Sequence, residues 1–251
     1  MPPRQPSNDP LAGLLRLDGV AAAAAEAVAA IDRLLAHRVL RTSSAAVSTE
    51  SALRGARASA ALDGEAVALR ELRAGAGGPV VRGALRVSSE LGSLVGTWSR
   101  APLQALARLH LLAAAELTEP GLLGRPDAAP AADMRLHALT GLLTGGTAAP
   151  AVVVAAVVHG ELLDARPFPA ANGVVARAAA RLTLIARGLD PKAVSVPEVG
   201  HLELASSYVD SAAGYATGEP AAVAGWLKHC SAAVVLGARE GLAVCEAAQR
   251  G

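Results

Sequence analysis

The chain has few aromatic residues and few cysteines. Only 2% of its 251 residues are aromatic, and Phe occurs once. Strands favour aromatic and β-branched residues, whereas Ala and Leu favour helices, so the Ala-rich segments predict an all-α protein. Cys230 and Cys245 fall on one predicted helix about 22 Å apart, too far for a disulfide. We expect both to be small core residues without a metal or redox role.

Neither a strong charge nor a long apolar run is present. The 23 Lys and Arg residues against 22 Asp and Glu give a net charge of +1, which predicts no nucleic-acid partner and no membrane-surface partner. The longest apolar run, AAPAVVVAAVV at 148–158, is shorter than the roughly 20 residues of a spanning helix. Since the N-terminus also lacks the apolar core of a signal peptide, we expect a cytoplasmic protein.

Apolar spacing and the positions of Gly and Pro predict a series of helices. We expect a single domain over residues 45–251, preceded by an N-terminal arm over residues 1–44 with one helix. The alanine tract of that helix has little apolar bulk, so we expect it to be partly exposed and treat it as a candidate homodimer contact. Gly64 and Gly75 are expected breaks, and the predicted helices are 20–40, 81–98, 102–117, 133–143, 149–164, 172–187, 199–217 and 219–248.

The segment DARPFPAANGVVARAAARL, residues 164–182, has the pattern of an anion-binding helix start. A helix ends near Asp164, a turn bracketed by prolines follows, and a second helix begins near Asn172. The free N–H groups and positive dipole end of a helix start attract anions, and Arg177 would add a charge-assisted contact. The same residues also suit an ordinary helix start, in which Asn172 caps the helix and Gly173 relieves a tight turn.

This segment resembles the signature of the Fic family (Fido fold), H-P-F-x-[DE]-G-N-G-R-x-x-R. Pro167, Phe168, Asn172, Gly173 and Arg177 stand at the positions of its Pro, Phe, Asn, second Gly and final Arg. The resemblance implies that Pro167 and Phe168 form the core of the motif, and that Asn172, Gly173 and Arg177 bind nucleotide phosphates.

Other segments extend the resemblance over residues 45–247, in the family's order. His159 stands where many members carry a His before the motif. SAALDG, from Ser59 to Gly64, resembles the family's inhibitory helix motif, in which Ser or Thr is followed by an acidic residue, here Asp63, and then by Gly or Asn. The tail YVDSAAGYATGEPAAVAGWLKHCSAAV is similar to the family's last helices. The resemblance implies an all-α, Fic-like domain, and it implies that Asp63 pairs with Arg177.

The chain departs from the family at the positions that carry its chemistry. In the family, the motif His deprotonates a target hydroxyl, the acid holds Mg²⁺, and AMP is transferred to a protein. Here Arg166 replaces the His, Ala170 the acid, Ala171 the first Gly and Val174 the first Arg. Arginine stays protonated, so Arg166 cannot be a general base, and Mg²⁺ loses its expected ligand at position 170. We predict no metal site.

We therefore predict a degenerate Fic-fold protein, inactive for AMP transfer and retained for binding. Its ligand would be ATP, another nucleotide or a different phosphate compound, held at Arg166, Asn172, Gly173 and Arg177, or the chain would bind an unknown protein partner. Two alternatives stay open. One is a divergent transferase that uses another phosphoryl donor, with Arg166 and Arg177 as a phosphate clamp, and the other is a structural or partner-binding helical protein. The short interval 121–133 stands where the family has the hairpin that clamps a target chain, which argues against AMP transfer by the family's usual mechanism.

The histidines carry no metal-ligand spacing. They fall on different predicted helices, so we expect each to be a core or surface residue rather than a ligand. We likewise expect the two tryptophans, Trp98 and Trp226, to supply bulk to an Ala-rich core. The histidines considered are His110, His137, His159, His201 and His229.

Overall fold

The computed structural model describes residues 9–126 and 129–250, and in these residues it contains helices and no strand. The all-α prediction is confirmed, whereas the first eight residues of the predicted N-terminal arm lie outside the described part. Several helices begin with proline, whose fixed φ suits the first helical position and whose missing N–H costs nothing there. The helices are α1 (Val20–Leu35), α2 (Ser44–Leu62), α3 (Leu69–Arg73), α4 (Pro79–Arg100), α5 (Pro102–Ala114), α6 (Pro130–Gly145), α7 (Ala151–Ala165), α8 (Asn172–Ala186), α9 (Pro197–Glu203), α10 (Ala205–Ala216) and α11 (Pro220–Arg250).

Helix α7 lies at the centre of the molecule. Every residue from Val152 to Gly160 is buried, because other helices cover all of its sides. One hydrophobic cluster joins α7 to α1 and α11, and a second joins α7 and α8 to α4 and α5. Both ends of the loop between α7 and α8, residues 166–171, are therefore joined to helices of the buried core. Trp98 and Trp226 are buried in these clusters, as predicted.

Helix α1 of the N-terminal arm packs along α11. Its buried residues recur at helical spacing on one side, whereas Ala21, Ala22 and Ala25 are exposed, so the alanine tract is partly exposed as expected. The helix ends at Leu35 rather than at residue 40, and a 3₁₀ turn, Arg38–Arg41, follows it. The buried residues of α1 are Val20, Ala24, Ala27, Ala30, Ile31 and Leu34.

The single helix predicted over residues 199–217 is wrong, because the chain breaks it at Leu204 into α9 and α10. Neither Gly nor Pro marks this break in the sequence. The break is caused by packing between residues that are far apart in the sequence. Gly200 of α9 lies directly against the backbone of Ala233 in α11. Helix α10 packs against α11 and α7 in a separate contact. Each short helix thus follows its own packing surface.

Within the described residues, α11 is the one helix whose length and composition would allow it to cross a membrane. Its most apolar 18-residue stretch is 56% buried inside the protein. Charged residues divide the apolar stretches of this helix, so its sequence contains no long uninterrupted apolar run. Cys230 and Cys245 lie on α11 as buried free thiols, as predicted.

Candidate functional site

The loop between α7 and α8 is held by its own hydrogen bonds. The Asn172 side chain accepts a hydrogen bond from the Phe168 N–H at 3.0 Å and donates one to the Phe168 carbonyl at 2.6 Å. Phe168 is buried, and its ring stacks on His110 with centroids 4.2 Å apart. Arg166 and Ala171 have φ angles of 42° and 57°, a region that non-glycine residues seldom occupy. The Asn172 side chain therefore shapes the loop rather than pointing at a ligand.

The start of α8 offers free backbone donors. The N–H groups of Asn172 and Gly173 find no acceptor among the residues that the structure describes. The first intrahelical bond at this end is donated by Val175 to the Ala171 carbonyl. Such N–H groups, at the positive end of the helix dipole, are the ordinary partners of a bound anion.

Arg177 is almost completely enclosed, with its side chain 2% exposed. Its Nε donates to Ser59 Oγ at 2.9 Å, and its Nη2 donates to the Ser59 carbonyl at 2.9 Å and to Asp63 Oδ1 at 2.6 Å. Its Nη1 donates to the Tyr208 hydroxyl at 3.2 Å. Burial lowers the pKa of Arg177, but Tyr208 and Asp63 outweigh burial and hold that pKa above its usual range. The predicted pairing of Asp63 with Arg177 is confirmed.

Asp63 reaches this position because α2 ends beside it. Gly64 has a φ of 91°, and the Glu65 N–H bonds back to the Ala60 carbonyl at 3.0 Å, which closes the helix end. The Asp63 carboxylate also lies against Gly173, where an added Cβ would be 2.8 Å from Asp63 Oδ2. Any larger residue at position 173 would push the carboxylate away. Asp63 thus lies at the start of α8, where an anion would bind.

A cavity of 540 Å³ opens above the loop, a size typical of small-molecule sites. Arg166 is exposed at its edge, and its guanidinium has no hydrogen-bond or ion-pair partner among the described residues. The cavity combines one free cation, free helix-start amides and one acidic side chain. Its wall includes Asp63, Arg166, Asn172, Gly173, Arg177 and Tyr208.

His159 does not lie in the wall of this cavity. It is 1% exposed, and its Nε2 is 2.8 Å from the Tyr208 hydroxyl. Burial, with the charge of Arg177 as a smaller cause, holds the pKa of His159 well below its usual range. A neutral, enclosed imidazole bonded to Tyr208 is in no position to deprotonate a ligand in the cavity.

Three of the histidines lie on different helices and are buried core residues, as expected, but the fold brings them together. His201 Nδ1 lies 3.1 Å from His229 Nε2, and the ring of His201 lies 4.9 Å from that of His159. Burial holds the pKa of His201 well below its usual range. The three residues are on α9, α11 and α7, so only the crossing of these helices brings them together. No local spacing in the sequence could have indicated this cluster.

The described residues between α5 and α6 contain the 3₁₀ turn Pro120–Leu122 and no strand. Asp127 and Ala128, inside the interval that the sequence marks as short, lie outside the described part.

The fold of this chain is similar to that of known protein structures. No family model and no curated protein matches the sequence. The structure is similar to that of a Fic family protein from Desulfovibrio desulfuricans G20, with 20% identity and a TM-score of 0.70, covering 90% of this chain and 74% of that one. It is also similar to Fic-1 (residues 134–508) from C. elegans, with 16% identity, a TM-score of 0.67, and coverage of 89% and 74%. The chain therefore has the helical Fic fold, as its loop segment implied.

Proposed function

We propose that this chain is a non-catalytic Fic-fold protein that binds a phosphate-bearing ligand, such as a nucleotide, in the cavity above residues 166–173. The observation that supports this best is what the cavity wall contains. The unpaired Arg166 guanidinium and the free N–H groups of Asn172 and Gly173 are groups that bind phosphate. These phosphate-binding groups are present in this chain, whereas the residues with which Fic proteins transfer AMP are replaced.

We expect no residue of the cavity wall to remove a proton from a bound ligand or target hydroxyl. The guanidinium of Arg166 offers hydrogen-bond donors and no acceptor, and Ala170 offers no metal ligand. The carboxylate in the wall belongs to Asp63, which is engaged by Arg177 at 2.6 Å. A target hydroxyl would therefore meet the Arg166 cation, the free amides and a carboxylate that is already paired with Arg177, and the ligand should be bound without Mg²⁺.

Calorimetry with ATP, CTP and GTP, each with and without Mg²⁺, tests the proposal. We expect at least one nucleotide to bind equally well without Mg²⁺. Arg166→Ala should weaken binding about tenfold, because a charge-assisted contact contributes roughly 1.5 kcal/mol or more. Arg41→Ala is the matched control, since Arg41 is exposed and does not line the cavity, and it should leave the affinity unchanged.

Two results would contradict the proposal. If none of the three nucleotides binds, the structural or partner-binding alternative is favoured. If labelled nucleotide becomes attached to proteins of a cell lysate, and Arg177→Ala abolishes the labelling, the chain is a divergent transferase.

Removing the negative charge of Asp63 should tighten nucleotide binding. The carboxylate lies where a phosphate would meet α8, so it repels the ligand and occupies Arg177. We expect Asp63→Asn, which keeps the shape of the side chain, to raise the affinity about tenfold in the same calorimetry. Glu71→Gln, on the short helix α3 and away from the cavity wall, is the control for a change of one charge. Equal affinities for the wild type and Asp63→Asn would show that this carboxylate does not oppose the ligand.

A further inference from the structure

A second, much smaller cavity lies between α7, α8, α9 and α11. Its volume is 20 Å³, and its wall includes His159, His201 and Cys230. A water molecule needs roughly 10–15 Å³ when volume is measured in this way, so the space suits one water or one ion. One potential ligand atom from each of the three residues lies within 4.8 Å of the other two, and all three residues are buried.

Each of the two imidazoles uses one ring nitrogen in a hydrogen bond to a neighbouring residue. The other ring nitrogen is then available to an occupant of the cavity. His159 uses Nε2 for the Tyr208 hydroxyl, and His201 uses Nδ1 for His229. The other nitrogens, His159 Nδ1 and His201 Nε2, are the ones not used in these two bonds, and Cys230 is a free thiol in the same cavity wall. The cavity wall thus offers one atom from each of two imidazoles and one thiol to a single occupant.

We propose that His159, His201 and Cys230 bind one Zn²⁺ ion. Two imidazole nitrogens and a thiolate form a ligand set that zinc prefers. Tyr208 and His229 hold the outer nitrogens of the two rings, in the way that neighbouring groups orient histidine ligands at metal sites. The sequence predicted no metal site, because Ala170 replaces the expected acid and the histidines have no metal-ligand spacing, and it predicted no metal role for Cys230; here we depart from both predictions.

Binding requires a small contraction and the loss of one proton. Ligand atoms that share a tetrahedral zinc lie about 3.5 Å apart, so the three atoms must approach by roughly 1 Å. The Cys230 S–H bond breaks, its sulfur bonds to Zn²⁺, and the proton passes to solvent. The two arginines in the cavity wall do not add unbalanced charge, because Arg177 is paired with Asp63 and Arg181 with Glu198.

The site is connected to the larger cavity through one hydroxyl. Tyr208 contacts His159 at 2.8 Å and Arg177 at 3.2 Å. A zinc ion that fixes the His159 ring would thereby also fix Tyr208 beside Arg177. The zinc site itself does not depend on nucleotide binding and is tested separately.

The test uses the full chain, stripped of metal with a chelator and titrated with Co²⁺ as a spectroscopic substitute for Zn²⁺. We expect one equivalent to produce a thiolate-to-cobalt charge-transfer band that Zn²⁺ removes. Cys230→Ser should lose the band, whereas the matched variant Cys245→Ser, also buried on α11, should keep it. Zn²⁺ at about 100 times its Kd should raise the Tm of the wild type by roughly 5 to 10 °C.

Circular dichroism establishes that each variant is folded before titration. The titration of the wild-type chain is by itself enough to disprove the zinc site. A wild-type chain that gives no charge-transfer band, and whose Tm Zn²⁺ leaves unchanged, would overturn the proposal. A band that persists in Cys230→Ser would overturn it as well, because the cobalt would then be bound by a different sulfur.

Discussion

Replacing Arg177 with methionine should lower the free energy of unfolding by about 3 kcal/mol. Arg177 makes its contacts to Ser59, Asp63 and Tyr208 with its side chain 2% exposed, so methionine leaves their polar atoms unsatisfied. Breaking a buried ion pair by removing one partner costs roughly 3–5 kcal/mol. The Asp63 side chain is 23% exposed, and solvent would screen its remaining charge, which favours the lower end of that range.

Urea unfolding followed by far-UV circular dichroism measures this cost, with Arg166→Met as the matched control. Arg166 is exposed and unpaired within the described residues, so its replacement should change stability by no more than about 0.5 kcal/mol. Asp63→Ala should cost about 2 kcal/mol, and the double variant should cost at least about 1 kcal/mol less than the sum of the single costs. Strict additivity would mean that the ion pair contributes nothing to stability.

Asp63 is therefore expected to act in opposite directions on folding and on binding. Its carboxylate compensates a guanidinium that has almost no access to water, and it also lies where a phosphate would meet α8. A bound phosphate would offer Arg177 the same kind of negative, hydrogen-bond-accepting partner. Nucleotide should consequently restore part of the stability that Asp63→Asn loses.

Two short motifs predicted the centre of the site, although 114 residues separate Asp63 from Arg177. The start of α8 near Asn172 also followed from local pattern, but the expectation that Asn172 caps the helix is wrong, because Ala171 is the N-cap and no side chain caps it. The direction of the Asn172 side chain did not follow, since its bonds to Phe168 depend on the whole loop conformation.

The break at Leu204 and the histidine cluster were not predictable from local pattern. Both arise where α9 crosses α11, a contact between residues far apart in the chain. Cys230 alone resembles a core filler, and only its position between His159 and His201 gives it a candidate role.

Replacing Gly200 with alanine should cost about 3 kcal/mol or more, because two helix backbones touch at this position. An added Cβ would lie 2.7 Å from the Cα and carbonyl carbon of Ala233, and backbone atoms cannot rotate away as a side chain can. Gly237 is equally close to Pro197, with an added Cβ 2.6 Å from its nitrogen. The contact thus has two glycines, one on each helix, and accommodating a methyl group requires α9 and α11 to separate.

Gly225→Ala is the matched control, because Gly225 also lies on α11 but has nothing within 4 Å of an added Cβ. Alanine stabilises a helix interior relative to glycine, so this variant should gain about 0.5 to 1 kcal/mol in the same urea unfolding experiment. If Gly200→Ala were as stable as the control, α9 and α11 could not approach as closely as the structure has them. Because α9 carries His201 and α11 carries Cys230, the same separation should also weaken Co²⁺ binding in Gly200→Ala while leaving it unchanged in Gly225→Ala.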